Sequence, residues 1–292
     1  MTAVTPTVAI RASGEASIAR RETLVQLARS KTFIPGVLVL AFWVFWAIVG
    51  SRLTPHDPLE TGDQILARPG HGHLFGTDQL GRDVLSRVLA GAHDVMQVAP
   101  AATVVGLFGG TVLGLVTGYF RGFVDDAISR LIDAVLALPL IVIAVVALVA
   151  LGHSTVTLIL VIGVVFTPLV ARTVRAAVLA ERDLDYIAAA RLRGERAPYV
   201  LGVEILPNVT APIIVEGTVR LGYAIFAVAA LAFLGFGVQP PSPDWALQIN
   251  DNYTLLNAGT YWWTVVFPGL AIVSVVVAVN LIADGLTQVL DR

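Results

Sequence analysis

The chain has 292 residues, 56% of them hydrophobic, with 19 Lys+Arg against 21 Asp+Glu and no Cys. A charged fraction of 14% and a mean hydropathy of +0.80 exclude a single soluble globule, which at this size still needs a polar surface. The lack of cysteine excludes disulfides, thiolate metal sites and a cysteine nucleophile, and a net charge of −2 argues against a nucleic-acid partner.

Residues 1–31 carry five cations and no apolar run, so they read as a cytoplasmic tail without a cleavable signal peptide, with a short amphipathic stretch before Phe33. Six intervals then lack any Asp, Glu, Lys, Arg or His: 32–51, 95–120, 134–152, 154–171, 221–243 and 252–283. Each reaches the roughly 17–25 residues of a spanning helix, so six transmembrane helices are expected. Helices are chosen over barrel strands because the runs lack period-2 alternation. The last interval is too long for one span. Tyr261, Trp262 and Trp263 read as an interfacial aromatic belt and Pro268 as a first-turn residue, placing the sixth helix near 264–288.

The first region, 32–94, is expected to hold one span and an external loop with an amphipathic helix. In that helix Leu80, Val84, Leu85, Val88 and Leu89 share a face opposite Arg82, Asp83 and Arg87, which should lie along the interface. The rest, 95–292, forms the transmembrane core. With the N-terminus inside, 15 of the 19 cations fall in cytoplasmic segments, and only Arg52, Arg68, Arg82 and Arg87 lie outside. Both termini are then cytoplasmic.

In the second span Ala102, Gly106, Gly110, Gly114 and Gly118 recur every four residues, which leaves one face nearly bare for helix–helix contact. Pro139 and Pro168 are placed in the third and fourth spans, as kinks or hinges. Asp133, Glu216, Arg220 and Asp284 fall near cytoplasmic helix ends, and Glu216 and Arg220 are spaced to pair along a helix. Such placement differs from the midplane ionisable residue of an ion-coupled carrier. All five histidines lie in external segments or at span ends, which disfavours an intramembrane protease. His71 and His73, without acidic or sulfur ligands nearby in sequence, read as part of a solvated loop, with no metal site assigned. The single lysine, Lys31, follows no glycine-rich phosphate loop. Uphill transport would need ATP chemistry from a partner chain.

The cytoplasmic stretch 183–208 looks built to receive such a partner. Asp183 to Gly194 reads as a short helix with an acidic start, the alanines Ala188, Ala189 and Ala190, a basic end and a glycine stop. A second segment runs from Glu195 through Pro198 to Leu206, with Pro207-Asn208 expected to end it. The alanines would allow close approach, while Arg191, Arg193 and Arg196 would pair with acidic groups.

The run Asp185-Tyr186-Ile187-Ala188-Ala189-Ala190-Arg191, through Gly194 to Leu206-Pro207-Asn208, resembles the EAA loop of ABC-importer permeases. It departs from that loop at Ala188, where the family has an acid, and at Glu204, where a histidine is common. Phe75 to Arg87 resembles the signature of the peptide and nickel branch, in its C-type subunits. Phe233 to Trp245, Phe267-Pro268-Gly269-Leu270 and Asn280 to Leu286 are similar to the rest of that subunit.

The resemblance implies an all-α, six-helix membrane protein with the type I ABC importer permease fold, in a bacterial cell membrane. Asp185, Tyr186, Ala189, Ala190, Arg191, Gly194, Glu204, Leu206, Pro207 and Asn208 would couple to ATPase subunits that bind ATP and Mg. This chain itself would bind no cofactor or metal and catalyse nothing. Its partners would be a second homologous permease, the ATPases, an external substrate-binding protein that delivers cargo near Gly235–Trp263, membrane lipid, and a di- or oligopeptide. A nickel or other small-solute importer is the alternative within the family. A freestanding channel or carrier is the alternative outside it.

Overall fold

A computed structural model of the chain describes residues 26–27 and 30–290. Most of the 1–31 tail, with Arg11, Arg20, Arg21 and Arg29, lies outside the described residues, as does Arg292. The helices are α1 (Phe33–Val49), α2 (Val84–Tyr119), α3 (Phe123–Leu136), α4 (Leu140–Leu151), α5 (Thr155–Glu181), α6 (Asp185–Leu192), α7 (Thr210–Phe233), α8 (Trp245–Asn252) and α9 (Trp263–Leu290). Short helical turns join α6 to α7. Among the described residues the only β-type pairing is an isolated bridge between Thr77 and Asp83.

Five helices are long and apolar enough to cross a bilayer: α1 with its 3-10 extension to Arg52, α2, α5, α7 and α9. The sixth candidate is the pair α3 and α4, which meet at 89°. The kink or hinge expected at Pro139 in the third span, 134–152, is a full break between two helices. Pro139 lies between the two helices as the N-cap of α4, where its missing N–H costs nothing. The 12 residues of α4 extend only about 18 Å.

Two other spans are displaced from their charge-free intervals. α5 runs ten residues past 171, because Arg172 pairs with Asp133, and Arg175 with Asp125 through two contacts of 2.7 Å. α7 begins eleven residues before 221 and places Glu216 and Arg220 inside the helix, where they pair with each other at 2.6 Å. It stops at Phe233 instead of 243. There Gly235 takes φ +86°, its N–H reaching the Ala232 carbonyl and the Phe236 N–H that of Leu231, which is a Schellman stop.

The longest helix, α2, is about 54 Å long and carries a cap at each end. Its glycine face meets α5. A methyl group added at Gly106 would lie 2.9 Å from the Gly163 carbonyl oxygen, and at Gly110, Gly114 and Gly118 it would lie 2.4, 2.6 and 2.7 Å from the Cβ atoms of Val170, Val174 and Val178. The backbones therefore approach as closely as small-residue packing allows. Apolar residues of α1, α2, α4, α5, α7 and α9 form one core, and a separate cluster lies under α6.

Candidate functional site

At one end of α2 the segments 53–83 and 234–262 form a cap held by buried polar groups. The helix starts at Val84, with the Asp83 carboxylate accepting from the Ser86 N–H at 2.7 Å. The expected interfacial helix around 80–89 is thus the N-terminal end of α2. Its supposed polar face is buried, with Asp83 and Arg87 only 3% and 1% exposed. The Arg87 guanidinium donates to the carbonyls of Pro58 at 3.3 Å and Ser242 at 3.4 Å, and its Nε lies 3.7 Å from the Asp78 carboxylate. Asp78 in turn accepts from the Leu80 and Arg82 N–H groups and from Arg82 Nε, at 2.7–3.0 Å. Burial costs a charge unless partners replace water, and these contacts supply them.

Two tryptophans bolt the cap to the bundle. Trp245 Nε1 donates to the Val88 carbonyl at 2.6 Å and its ring meets Trp43 edge-on at 4.7 Å. Trp263 Nε1 donates to the Thr77 carbonyl at 3.1 Å and is 2% exposed. This corrects the aromatic-belt reading for Trp263, while Trp262 remains exposed. Pro268 is the sixth residue of α9 and not a first-turn residue. Asp244 caps α8 by accepting from the Leu247 N–H at 2.9 Å. Burial, with Asp94 nearby, pushes its carboxyl up to about 6.

At the far end of α2 lies the elbow 182–209. Its helix α6 ends on a Schellman motif: Gly194, at φ +81°, donates to the Arg191 carbonyl, and Glu195 to that of Ala190, at 3.0 and 3.2 Å. Ile187 and Ala190 face inward onto Val174, Val178, Val200 and Ile205, with Leu206 at the margin of this cluster. Ala190 is therefore structural, which corrects its expected place on the contact surface. Asp185, Ala188, Ala189, Arg191, Arg193 and Gly194 are exposed, and Leu192 projects with 89% of its surface open. The Arg191 guanidinium also lies 4.9 Å from the Tyr119 ring centre.

A polar latch closes the elbow. The Tyr186 hydroxyl donates to the Glu181 carboxylate and accepts from Asn208 Nδ2 at 3.0 Å, and the same amide donates to the Glu204 carbonyl at 2.7 Å. Burial and the Glu181 contact push the Tyr186 phenol up to about 12, so it stays protonated and can donate. Arg193 reaches Glu204 at 3.3 Å. The segment ends at Pro207-Asn208 as expected, although Leu206 before the proline keeps helical angles. The chain stays helical through Asn208 and turns at Val209, after a π-helical stretch at Val200–Ile205. That widening precedes the proline, whose ring would crowd the Val203 carbonyl in regular α geometry.

The elbow grips the α2–α5 pair directly. Arg182 donates to the Gly118 and Tyr119 carbonyls at 3.2 and 2.8 Å, and Arg121 pairs with Asp183 at 2.9 Å. The elbow therefore contacts the α2–α5 pair beside Gly118, the last residue of the glycine face. Sequence reasoning missed the cap residues Asp78, Arg87, Asp94, Asp244 and Trp245 as a network, because the partners are up to 157 positions apart.

Residues 110–292 match the family model described as binding-protein-dependent transport system inner membrane component. The chain is 38% identical, over 93% of its length and 89% of the relative's, to a dipeptide transport system permease protein of Alkalihalophilus pseudofirmus. It is 37% identical to a di/tripeptide transport system permease protein of Pseudomonas aeruginosa, covering 93% and 91% of the two chains. For a dipeptide transport system permease protein of Escherichia coli K12 the values are 40%, 90% and 89%. The helical architecture, with five long apolar helices and a bent pair, is the type I ABC importer permease fold in a multi-pass membrane protein. The chain belongs to the family of binding-protein-dependent transport system inner membrane components.

Proposed function

We propose that this chain is the membrane-spanning permease subunit of an ATP-driven ABC importer that carries di- or oligopeptides into the cell. The reading rests on its 37–40% identity, over at least nine-tenths of its length, to relatives named as dipeptide or di/tripeptide permeases. Both termini and the elbow lie on the cytoplasmic side, a reading supported by the placement of 15 of 19 cations. A second permease subunit completes the path. An external binding protein delivers peptide to the cap, and ATPase subunits dock on the elbow. ATP and Mg belong to those subunits, and this chain contributes no catalytic group.

In this reading the contact surface is the exposed ridge of α6 formed by Ala188, Ala189 and Leu192, flanked by Arg191 and Arg193. Burying Leu192 in an apolar groove supplies about 1.5–3 kcal/mol. Closure of the ATPases displaces α6, and its buried side carries α5 and α2 along as one body through the glycine seam. The test is reconstitution of the whole complex in vesicles. Dipeptide uptake should require ATP, the binding protein and the ATPases together, and Leu192→Asp should abolish it. Uptake by the permease without ATPase would refute the reading.

A further inference from the structure

Three side chains in the cap converge although they come from separate segments: His56 after α1, His73 in the following loop, and Asp83 at the start of α2. Their candidate ligand atoms all lie within 4.8 Å of one another. His73 Nδ1 is 2.9 Å from Asp83 Oδ1, His56 Nδ1 is 3.8 Å from Asp83 Oδ2, and the two rings lie 4.7 Å apart at 33°. A hydrogen bond accounts for His73 but not for His56, whose separation is too long for one. Two imidazoles turned to one carboxylate would repel each other if both were charged. One divalent ion satisfies all three.

We infer that His56, His73 and Asp83 form a binding site for a borderline divalent cation of the zinc class. With metal–ligand bonds of about 2.0–2.2 Å, a tetrahedral site holds its ligand atoms about 3.3–3.6 Å apart. The three ligand atoms, one from each residue, lie within 4.8 Å of one another, so small rotations of the side chains bring them to that spacing. Two imidazole nitrogens and one carboxylate oxygen suit zinc better than calcium or magnesium, which prefer all-oxygen sets.

The surroundings support the site. Asp83 Oδ2 accepts from both the N–H and the hydroxyl of Ser86 at 2.7 Å, which fixes the carboxylate with Oδ1 toward His73 and Oδ2 on the His56 side. Ser86 Oγ also accepts from the His56 N–H at 3.1 Å, so one serine positions two of the three ligands. The His56 side chain is 44% exposed and borders a cavity of about 340 Å³, which leaves room for water as the fourth ligand. Asp57, Glu60 and Asp63 line the same cavity and draw cations toward it. Bound metal would tie the segment after α1 and the loop to the head of α2, as a staple in a chain without cysteine.

The test uses the full-length protein, purified in detergent and stripped with a chelator, then titrated with Zn²⁺ against a fluorescent competitor. The expected result is one Zn²⁺ per chain, with affinity reduced about tenfold or more in His56→Ala and in His73→Ala. His71→Ala, an exposed histidine in the same loop, should leave it unchanged. Co²⁺ added to the stripped protein should give the visible absorption of a four-coordinate ion, diminished in the same two variants. If the wild-type protein takes up no stoichiometric zinc, or if His71→Ala weakens binding as much as His73→Ala, the inference fails. Should either ligand variant misfold, the wild-type stoichiometry and the His71→Ala control still decide the question.

Discussion

Replacing Gly110 by alanine tests the seam between α2 and α5 with one carbon atom. The new methyl would sit 2.4 Å from Val170 Cβ, 2.6 Å from its Cγ1 and 2.9 Å from the Ala171 nitrogen. Carbon atoms settle at about 3.5–4.0 Å, so the helices must part by about 1 Å. Overpacking of this kind costs about 1–3 kcal/mol, and a clash against the base of a branched side chain and a backbone atom belongs to the upper part of that range. Alanine returns about 1 kcal/mol of helix propensity, which leaves a net loss of about 2 kcal/mol. Gly269→Ala in α9 is the matched control. Apart from its chain neighbours and the helix's own backbone, no heavy atom lies within 4 Å of its added methyl, so the propensity gain stands alone and the sign reverses. Thermal unfolding of the purified permease in detergent reads both. The cost of Gly110→Ala should shrink in a Val170→Gly background, which removes Cβ and Cγ1, but hardly in Val170→Ala, which keeps Cβ. Equal effects of Gly110→Ala and Gly269→Ala, or no coupling to Val170→Gly, would refute the seam.

Asp244 is held above its ordinary carboxylate range by burial, so its contribution to stability is greatest below about pH 4 and falls as pH rises through 6. Asp244→Asn keeps the cap on Leu247 and removes the buried charge. Its Tm should exceed that of the wild type at pH 7–8, by up to about 3 kcal/mol of stability, and the difference should vanish near pH 4. Trp263→Phe loses the bond to Thr77 and should cost about 1–3 kcal/mol and open residues 53–83 to protease, whereas exposed Trp262→Phe should change stability by no more than about 0.5 kcal/mol. Gly194→Pro removes the N–H that closes α6 and demands a negative φ. It should abolish ATP-driven uptake at normal membrane levels, as measured by transport and immunoblot. Ala190→Arg drives a charge into the cluster under α6 and should lower membrane levels as well.

The spans were legible as long apolar runs, but their ends were not. A charge-free interval marks where charges are absent, whereas a helix persists wherever its charges find partners. Arg172 and Arg175 pair with Asp133 and Asp125, and Glu216 with Arg220, so α5 and α7 extend beyond or before their intervals. Conversely, Gly235 ends α7 within an interval that hydropathy alone treats as span. The elbow was readable because its signals are local: a glycine stop four residues after a run of three alanines and a proline thirteen residues later. Ala190 was misplaced because which alanine faces inward depends on the register of α6 against Val174 and Val178. The cap was illegible, since Arg87 meets Ser242 across 155 positions and His56 meets Asp83 across 27. In sequence, His71 and His73 look like the pair. In space, His73 joins His56 instead.

In the proposed arrangement the elbow tip meets the ATPase and the cap lies across the membrane from it. Because the chain has no cysteine, single cysteines at Leu192 and at Leu74, exposed at opposite ends of the molecule, can be introduced without removing any native thiol. In the assembled complex, a thiol-reactive photo-cross-linker at Leu192→Cys should capture the ATPase subunit, with a yield that changes between nucleotide-free and ATP-bound states. The same reagent at Leu74→Cys should not. Capture of the ATPase from position 74, or none from 192 in a complex that still transports, would contradict the account.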